Sequence, residues 1–528
     1  MATSTTHAAQ PSAADIRLVI TASALGTVFE WYDFFIYGTL AASGIIGRTF
    51  FPAGNEVVQT LLAWAGFAVG FGFRPLGAVL FGYLGDRLGR KYTFLVTIAL
   101  MGIATAGVGL IPSAAAIGFA APALVLLLRV CQGLALGGEY GGAAVYVAEH
   151  SPPNKAGFYT SFIQAGVVGG FILSLAVVLG TKGLLSAETW GDWGWRLPFL
   201  FSLVLLAVSL WMRLKLSESP VFLAMRAEGE RARNPFTRSF TYPGNIGRML
   251  VALFGIAAGL TVIWYTAMFT VLSFIQSTMR VEETTAQLIT GSGALMGMVW
   301  FVLFGRLSDR VGRKKPIVIG YALTLVLLFP IFWVIADAAN PALSRAAERA
   351  PVLVAGPHCA YSPFAQKQAD KCGQLLDYFS KKGVAYTKAT TPATVVLIGG
   401  DPQEDLSPAG LDAALTRAGY QLAPVKPSAG NIAKMLFAIL ALAALSGATY
   451  GPVAALLSEM FPPEIRYSSL SIPYHIGTGY FGGFLPFISQ YIVARTGNPF
   501  AGLWYTEAVV AMALVVTLFG LREPARGA

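Results

Sequence analysis

Long apolar stretches, separated by short breaks that carry charged residues, proline or glycine, run along almost the whole chain. A helix that crosses a membrane needs about 20 mainly apolar residues. The pattern predicts twelve such helices, near residues 17–42, 57–84, 92–112, 117–147, 158–180, 196–216, 248–276, 286–306, 316–338, 432–457, 468–493 and 500–521. Residues 1–16 are polar and do not resemble a cleavable signal, so the first stretch is expected to remain as a helix.

The composition supports this interpretation. Apolar residues make up 55% of the 528 residues and charged residues 12%, whereas an ordinary soluble domain has about 25% charged residues. So few charges cannot cover a water-facing surface, which excludes a cytosolic enzyme. We expect a multi-pass protein of the cell (inner) membrane, with lipid as a partner.

The placement of the net charge of +10 predicts the orientation. If the N-terminus is cytoplasmic, the cytoplasmic loops and tails hold twenty lysines and arginines and the short outer loops hold five, with residues 339–431 left aside. The positive-inside rule therefore favours two cytoplasmic termini. Because the basic excess lies beside membrane spans, nucleic acid is not an expected partner.

Two pairs of similar segments indicate an internal repeat. GYLGDRLGRK at 82–91 matches GRLSDRVGRK at 305–314, an offset of 223 residues, and EYGGAAVYVAEHSPP at 139–153 aligns with TYGPVAALLSEMFPP at 449–463, an offset of 310. The same elements therefore occur in the same order in two six-helix halves. The second half carries about 87 additional residues, which fall within 339–431.

The predicted domains follow from this arithmetic: a first half at 1–216, a linker at 217–247, a second half at 248–338 and 432–528, and the insertion at 339–431. Two strand-like and two helix-like patterns predict a small α/β domain outside the cell, expected to be dispensable for transport. Cys359 and Cys372 lie within it. An outer location permits a disulfide. The spacing of the two cysteines in the sequence does not distinguish a disulfide from two free thiols, so both remain as alternatives.

Several further motifs carry a resemblance to a known family: EWYDF at 30–34, FRPLG at 73–77, RVCQGLALGGEYGGA at 129–143, WGWRLPF at 193–199 and ESPVF at 218–222. With the paired loops, they resemble the metabolite:proton symporters of the major facilitator superfamily, which include carriers of proline and betaine, 2-oxoglutarate, citrate and shikimate. The match covers the chain apart from 339–431. It implies an all-α membrane protein with the major facilitator fold, twelve transmembrane helices as two six-helix repeats, plus a small α/β extracytoplasmic insertion.

The repeated loops predict a cytoplasmic gate. Its expected members are Gly82, Asp86, Arg87, Arg90, Glu149, Gly305, Asp309, Arg310, Arg313, Glu459 and Arg466. The glycines would let helices approach, the aspartates would cap neighbouring helix N-termini, and the arginines would form contacts between the halves with Glu149 and Glu459. The alternative is that these cations only anchor the loops on the cytoplasmic side.

Ionisable residues inside the spans lie mainly in the first half: Glu30, Asp33, Arg74, Arg129 and Glu139. Charge buried in a membrane indicates function by default. Three acids against two arginines leave one carboxylate unbalanced, and we expect it to carry the coupling proton. Glu139 is the first candidate and Glu30 and Asp33 are the others, although each acid could instead form a permanent ion pair with an arginine.

Arg129 and Arg74 are the predicted contacts for a substrate carboxylate, because a guanidinium can bind it through two parallel hydrogen bonds. Gln132 and Gln164 could add hydrogen bonds or only link helices. From the second half, Trp264, Tyr265, Tyr450, Tyr474 and His475 could line the cavity or simply pack.

The sequence therefore predicts a secondary active transporter, a proton symporter of a small organic acid or a betaine-like zwitterion that works by alternating access, as a monomer. No P-loop, metal-ligand pair or catalytic motif is recognisable, so neither a cofactor, a metal nor an enzymatic activity is expected. A proton-antiport exporter of the same fold, or a transporter-like sensor that signals through the outer domain, remain as alternatives.

Overall fold

Helices dominate the computed structural model, which describes residues 13–51, 56–88, 90–138, 144–145, 147–148, 151–152, 154–214, 235–365, 367–462 and 465–523. We number the long helices by the predicted span that each one covers. The first six are Ala13–Ala42, Glu56–Gly72 continued by Arg74–Leu88, Arg90–Leu110, Ala120–Gly137, Ala156–Leu184 and Leu197–Leu214. Short helices between them are Ile45–Phe50, Ala114–Ile117, Ala187–Asp192 and Gly194–Arg196.

The last six follow the short helix Pro235–Thr241, which lies at the end of the predicted linker. They are Asn245–Thr278, Glu283–Val311, Lys314–Ala339, Ala429–Tyr450 continued by Val453–Met460, the run of Arg466–Ile476, Gly477–Gly483 and Leu485–Thr496, and Leu503–Gly520. In the described ranges, nine helices are long and apolar enough to cross a membrane. The protein is therefore a multi-pass membrane protein, and the count of twelve spans stays a prediction.

Two of the long helices depart from regular geometry for identifiable reasons. The second helix is divided at Phe73, because Pro75 has no N–H group and restricts the residues before it. The seventh contains three π-helical stretches, Val251–Ala257, Thr266–Thr270 and Phe274–Thr278. Such wider turns occur frequently at functional sites.

The insertion contains a four-stranded sheet. Its strands are β1 (Val352–Gly356), β2 (Tyr386–Thr390), β3 (Val395–Ile398) and β4 (Asp401–Pro402), in the order β2-β1-β3-β4, with β1 and β2 parallel and the other pairs antiparallel. Helices Pro341–Arg349, Lys371–Lys381 and Pro408–Arg417 accompany them. Cys359 and Cys372 form a disulfide, with their Cα atoms 5.1 Å apart.

The two halves meet along two pairs of helices, the fifth with the eighth and the second with the eleventh. Glycines permit the second contact: a Cβ atom at Gly479 would lie 2.9 Å from the carbonyl oxygen of Phe71, and one at Gly483 would overlap the Phe71 side chain. We call the end where the eighth helix stops at Val311 the motif side, and the opposite end the insertion side.

Candidate functional site between the two halves

Arg74 of the first half lies buried against the second half. It begins the second part of the second helix and has no exposed surface. Its guanidinium carbon is 5.2 Å from the centre of the Trp31 ring and 5.3 Å from that of Phe71. The guanidinium also interacts electrostatically with His475 and Tyr265 of the second half. Arg74 is therefore a cation at the contact between the halves.

A layer of aromatic rings separates Arg74 from the insertion side. Phe35 stacks on Trp264 at 5.1 Å and lies 5.3 Å from Phe269, which is 6.0 Å from Trp64. Trp64 lines a cavity of about 650 Å³ that lies between the halves on the insertion side. Since Trp64 precedes Arg74 by ten residues on the second helix, the two are about 15 Å apart along its axis. The rings thus form the floor of this cavity.

The second half faces Arg74 with neutral polar groups. His475 is fully buried, and neither of its ring nitrogens has a hydrogen-bond partner among the described residues. The same holds, within those residues, for the indole N–H of Trp264. The hydroxyls of Tyr450 and Tyr474 share a hydrogen bond of 2.6 Å. Buried polar groups are normally paired, so the lack of partners at His475 and Trp264 marks positions where a ligand could bind.

Asp33 is a buried carboxyl group inside the first half. It is 5% exposed, Ser202 of the sixth helix lies beside it, and its Oδ1 atom has no hydrogen-bond partner among the residues described. Glu30, one turn earlier on the same helix, is also buried. The structure therefore keeps both predicted acids of the first helix away from solvent.

The hydrogen bonds of Arg129 lie within the first half, although its guanidinium also interacts electrostatically with Tyr265 of the second half. Its Nη1 donates to Gln132 Oε1 at 2.6 Å, and its other nitrogens donate at 3.3 Å to the carbonyl oxygens of Gly66 and Phe67. Its carbon Cζ lies 4.2 Å from the centre of the Phe34 ring. The guanidinium is thus enclosed by the first and second helices, and its contact with a substrate carboxylate stays a prediction.

The two glutamines that were predicted to assist binding are both buried. Gln132 is held between Arg129 and Thr105, since its Nε2 donates to the Thr105 hydroxyl at 2.7 Å. Gln164 lies in the fifth helix, which packs against the first and eighth helices. Gln132 therefore belongs to the structural network of Arg129, whereas Gln164 lies on a helix at the contact between the halves.

Asp309 joins the halves on the motif side. Its two carboxylate oxygens accept hydrogen bonds of 2.8 Å each from the backbone N–H groups of Gly157 and Phe158, at the start of the fifth helix. A carboxylate there also interacts favourably with the helix dipole. Close approach needs a glycine, because a Cβ atom at Gly305 would lie 2.6 Å from the Gly157 carbonyl oxygen. The geometry agrees with the predicted cap.

Arg313 bonds within its own half, which differs from the predicted contact between the halves. Its guanidinium is 2.7 Å from Asp309 Oδ1 and 2.9 Å from Glu459 Oε1. Burial lowers the pKa of the Arg313 guanidinium, but the bonds to Glu459 and Asp309 outweigh that effect, so its pKa is raised. Arg313 therefore holds Asp309 in place, and the backbone of the fifth helix, rather than an acid of the other half, is the cross-half partner.

The remaining predicted gate residues are placed only in part. Glu139 and Glu149 lie outside the described residues, as do the side chains of Gly82, Asp86, Arg87 and Arg90. The Nε of Arg466 donates to the Phe461 carbonyl at 3.3 Å, and Arg310 is exposed at the end of the eighth helix. The backbone around Asp86 packs beside the start of the eleventh helix, as expected from the repeat.

The sequence interpretation missed one buried acid. Glu507 lies in the twelfth helix, is 8% exposed, and its Oε1 has no hydrogen-bond partner in the described part of the chain. It lies about two turns after the start of the predicted span 500–521, and the sequence analysis did not count it among the ionisable residues inside the spans. A count of acids within whole helices, rather than near their centres, would have found it.

A helical membrane protein of two halves, with a buried cation and unpartnered polar groups between them, is the architecture of a membrane transporter. The profile of the family described as "Sugar (and other) transporter" matches residues 18–249. The inner membrane metabolite transport protein YhjE of Escherichia coli is 30% identical over 95% of this chain and 93% of its own length. The proline/betaine transporter of Salmonella typhimurium is 36% identical, over 60% and 64% respectively.

Two further comparisons agree. The shikimate transporter of Escherichia coli is 38% identical over 58% of this chain and 70% of its own length. The solved structure of the proton:xylose symporter XylE has the same fold, with a TM-score of 0.63 at 17% identity over 96% of both chains. The chain belongs to the metabolite:proton symporter family of the major facilitator superfamily. It is a transporter, not an enzyme.

Proposed function

We propose that the protein is a proton symporter that imports a small organic acid or zwitterion by alternating access. The observation that carries this proposal is Arg74, which lies buried between the halves beside His475 and near the unpartnered indole N–H of Trp264. A carboxylate placed there would accept charge-assisted hydrogen bonds, which are the stronger kind. It would also give the His475 imidazole and the Trp264 indole N–H the partners that they lack among the described residues.

Coupling to protons is assigned to the first half. Asp33 is a carboxyl group buried at membrane depth, and such a group is a functional residue by default. Its Oδ1 has no partner among the described residues, so a proton can be held there without breaking a hydrogen bond. Glu30 and Glu139 are the other acids that we propose for this step.

The gate and the orientation complete the proposal. The halves touch on the motif side through Asp309, while the cavity lies between them on the insertion side. The distribution of lysine and arginine favours the motif side as cytoplasmic, with both termini there and the insertion outside. The structure would then be the outward-facing state, and Asp86, Arg87, Arg90 and Glu149 would form the counterpart gate of the first half.

The named relatives narrow the substrate class. Proline, betaine and shikimate, which appear in the names of two of these relatives, each carry one carboxylate. That shared group is the one that Arg74 can bind. We therefore propose a monocarboxylate, with or without a quaternary or secondary ammonium, as the transported solute.

The test is uptake of radiolabelled glycine betaine, proline and shikimate into proteoliposomes with an imposed pH gradient. We expect uphill accumulation of at least one solute in the wild type. Asp33→Asn should abolish accumulation while leaving exchange between labelled and unlabelled solute measurable, with Glu139→Gln tested in parallel. Accumulation at full rate in both variants would remove these acids from the mechanism, whereas proton-driven efflux would favour the exporter and binding without flux the sensor.

A further inference from the structure

The insertion is attached to the second half through Arg280, in the loop between the seventh and eighth helices. Its Nε and Nη2 donate to the carbonyl oxygen of Lys382, at 3.1 and 2.6 Å, and its Nη1 donates to that of Leu422 at 2.8 Å. Lys382 directly follows helix Lys371–Lys381, where the helix dipole favours a cation. One side chain thus binds two separate segments of the insertion.

Two further contacts add to this attachment, one in the same loop and one in the outer loop after the eleventh helix. Val281 forms a β-bridge with Val425, where the backbone bonds measure 2.8 and 2.9 Å. After the eleventh helix, the carbonyl oxygen of Gly497 accepts the N–H of Tyr386 at 3.2 Å. With its two chain connections, the insertion is therefore held at several well-separated points, so it must move as one body with the second half.

Towards the first half, the insertion approaches without closing. Helix Lys371–Lys381 packs beside the outer end of the second helix, which begins at Glu56. The carboxylate of Glu56 acts electrostatically on Arg280. Glu56, Arg280 and Lys381 all line the cavity of about 650 Å³, so opposite charges face each other across an open space.

The other contact between the halves is already closed on the insertion side. Lys182 of the fifth helix pairs with Glu283 of the eighth at 2.7 Å, and Asp309 closes the same pair of helices on the motif side. Lys182 and Glu283 also line the cavity, which extends from this ion pair to the start of the second helix and the end of the eleventh. Lys381 and Tyr386 of the insertion line it as well.

We propose that the insertion is a lid on the outer entrance: it moves with the second half and seals the cavity by bringing Lys381 and Arg280 against Glu56. This proposal uses the relative motion of the halves from the proposed function, but not the identity of the solute or the proton site. The insertion would then take part in the closure of the outer entrance. Its removal should leave the entrance unsealed in the state that faces the cytoplasm.

The test joins the lid to the first half with a short bismaleimide. The variant carries Glu56→Cys and Lys381→Cys, with Thr60→Cys as a reporter deeper in the cavity and Cys131→Ser to remove the free thiol. After crosslinking, we expect a small charged methanethiosulfonate reagent to modify the reporter at least about tenfold more slowly, because the closed population is locked. This readout needs no substrate, so it can fail independently of the proposed function.

The matched control crosslinks two positions on the same moving body. Lys388 Nζ donates to the Arg495 carbonyl at 3.0 Å, so Lys388→Cys with Arg495→Cys should crosslink without slowing the reporter. An unchanged reporter rate after the Glu56–Lys381 crosslink, or failure of that pair to crosslink, would overturn the lid. Protection of the reporter by the control crosslink would show instead that the insertion does not travel with the second half.

Discussion

The two halves contribute different types of side chain to their interface, although they repeat the same order of helices. The first half buries Asp33, Arg74 and Arg129 within its membrane helices. Facing Arg74, the second half offers an imidazole, an indole and phenol hydroxyls. Among the described membrane helices, the first half therefore buries more charged side chains than the second, in which Glu507 is a buried acid. We propose that the neutral groups of the second half contact the solute.

The two halves also differ in the geometry of their helices. π-helical stretches occur in the seventh and eleventh helices, at Thr266–Thr270 and Gly477–Gly483 among others, and the described part of the first half has none. A wider turn breaks the regular hydrogen-bond ladder and is common at functional sites. The first half is interrupted at Phe73 of the second helix but has no π-helical stretch in its described part, so the wider turns lie in the half that we propose to contact the solute through neutral groups.

The largest expected effect tests whether the cation of the first half binds the substrate. Arg74→Lys keeps the charge but loses the planar group that can bind a carboxylate through two bonds. Loss of one charge-assisted hydrogen bond costs about 2 kcal/mol, which corresponds to about 30-fold in affinity. Equilibrium binding of the transported solute to the wild type and to the variant measures this loss of affinity. Unchanged affinity would show that the substrate carboxylate does not bind Arg74 of the first half.

Arg129→Lys separates the two buried arginines of the first half. Arg129 bonds to backbone carbonyls and to Gln132, so we expect a loss of about 2 kcal/mol of stability, with solute affinity retained. The midpoint of thermal denaturation in detergent should fall. If the variant keeps its stability and loses solute binding, Arg129 contacts the substrate, as the sequence predicted.

Asp309→Asn tests the contact between the halves on the motif side. The loss of a charged helix cap costs about 1 kcal/mol, enough to shift the two-state population roughly fivefold. We expect faster thiol modification of a Ser161→Cys reporter, since Ser161 is buried where the fifth helix meets Gly305. Asp337→Asn, an exposed acid of the ninth helix, is the control. Equal rates in both variants would remove Asp309 from the gate.

The smallest effect is expected from the neutral side of the interface. His475→Gln keeps a hydrogen-bonding group in place of the imidazole, so affinity should change by about 1 kcal/mol or less. Uphill accumulation in a pH gradient should persist. If this variant instead loses accumulation and retains exchange, the coupling proton belongs to the second half, and the division between the halves described above is wrong.

Sequence patterns predicted most of the fold because the membrane imposes long apolar runs. The described long helices begin and end within five residues of their predicted bounds, except the fourth, whose described helix ends at Gly137 and not near residue 147. The four-stranded sheet lies within residues 339–431, which the repeat arithmetic assigned to the insertion. Strand β2 was missed because Tyr386–Thr390 is an edge strand with mainly exposed polar residues, which gives no apolar run. The π-helical stretches were missed because wider turns leave hydropathy unchanged.

The site was less predictable, because sequence fixes the depth of a residue but not the direction of its side chain. Arg74 and Arg129 look equivalent by depth and type, and both interact electrostatically with Tyr265 of the second half. Arg74 also interacts with His475, whereas Arg129 donates to the carbonyls of Gly66 and Phe67. The cap by Asp309 was predictable, since a repeated motif constrains both its position and its neighbour. Arg313 bonded to its own half because Glu459 is nearer than any acid that the other half offers among the described residues.

The π-helical stretch at Thr266–Thr270 also limits how this chain can change in length. A deletion of one residue there would restore a regular α-helix, because a π-helical turn holds one residue more than an α-helical turn. It would also shorten the spacing between the side chains on the two sides of the deletion. Tyr265 and Phe269 could then no longer both face the first half as they do now. Related chains should therefore accept gaps within the insertion's loops and reject them within this turn, so an alignment gap at this position would indicate a transporter with a different inner wall.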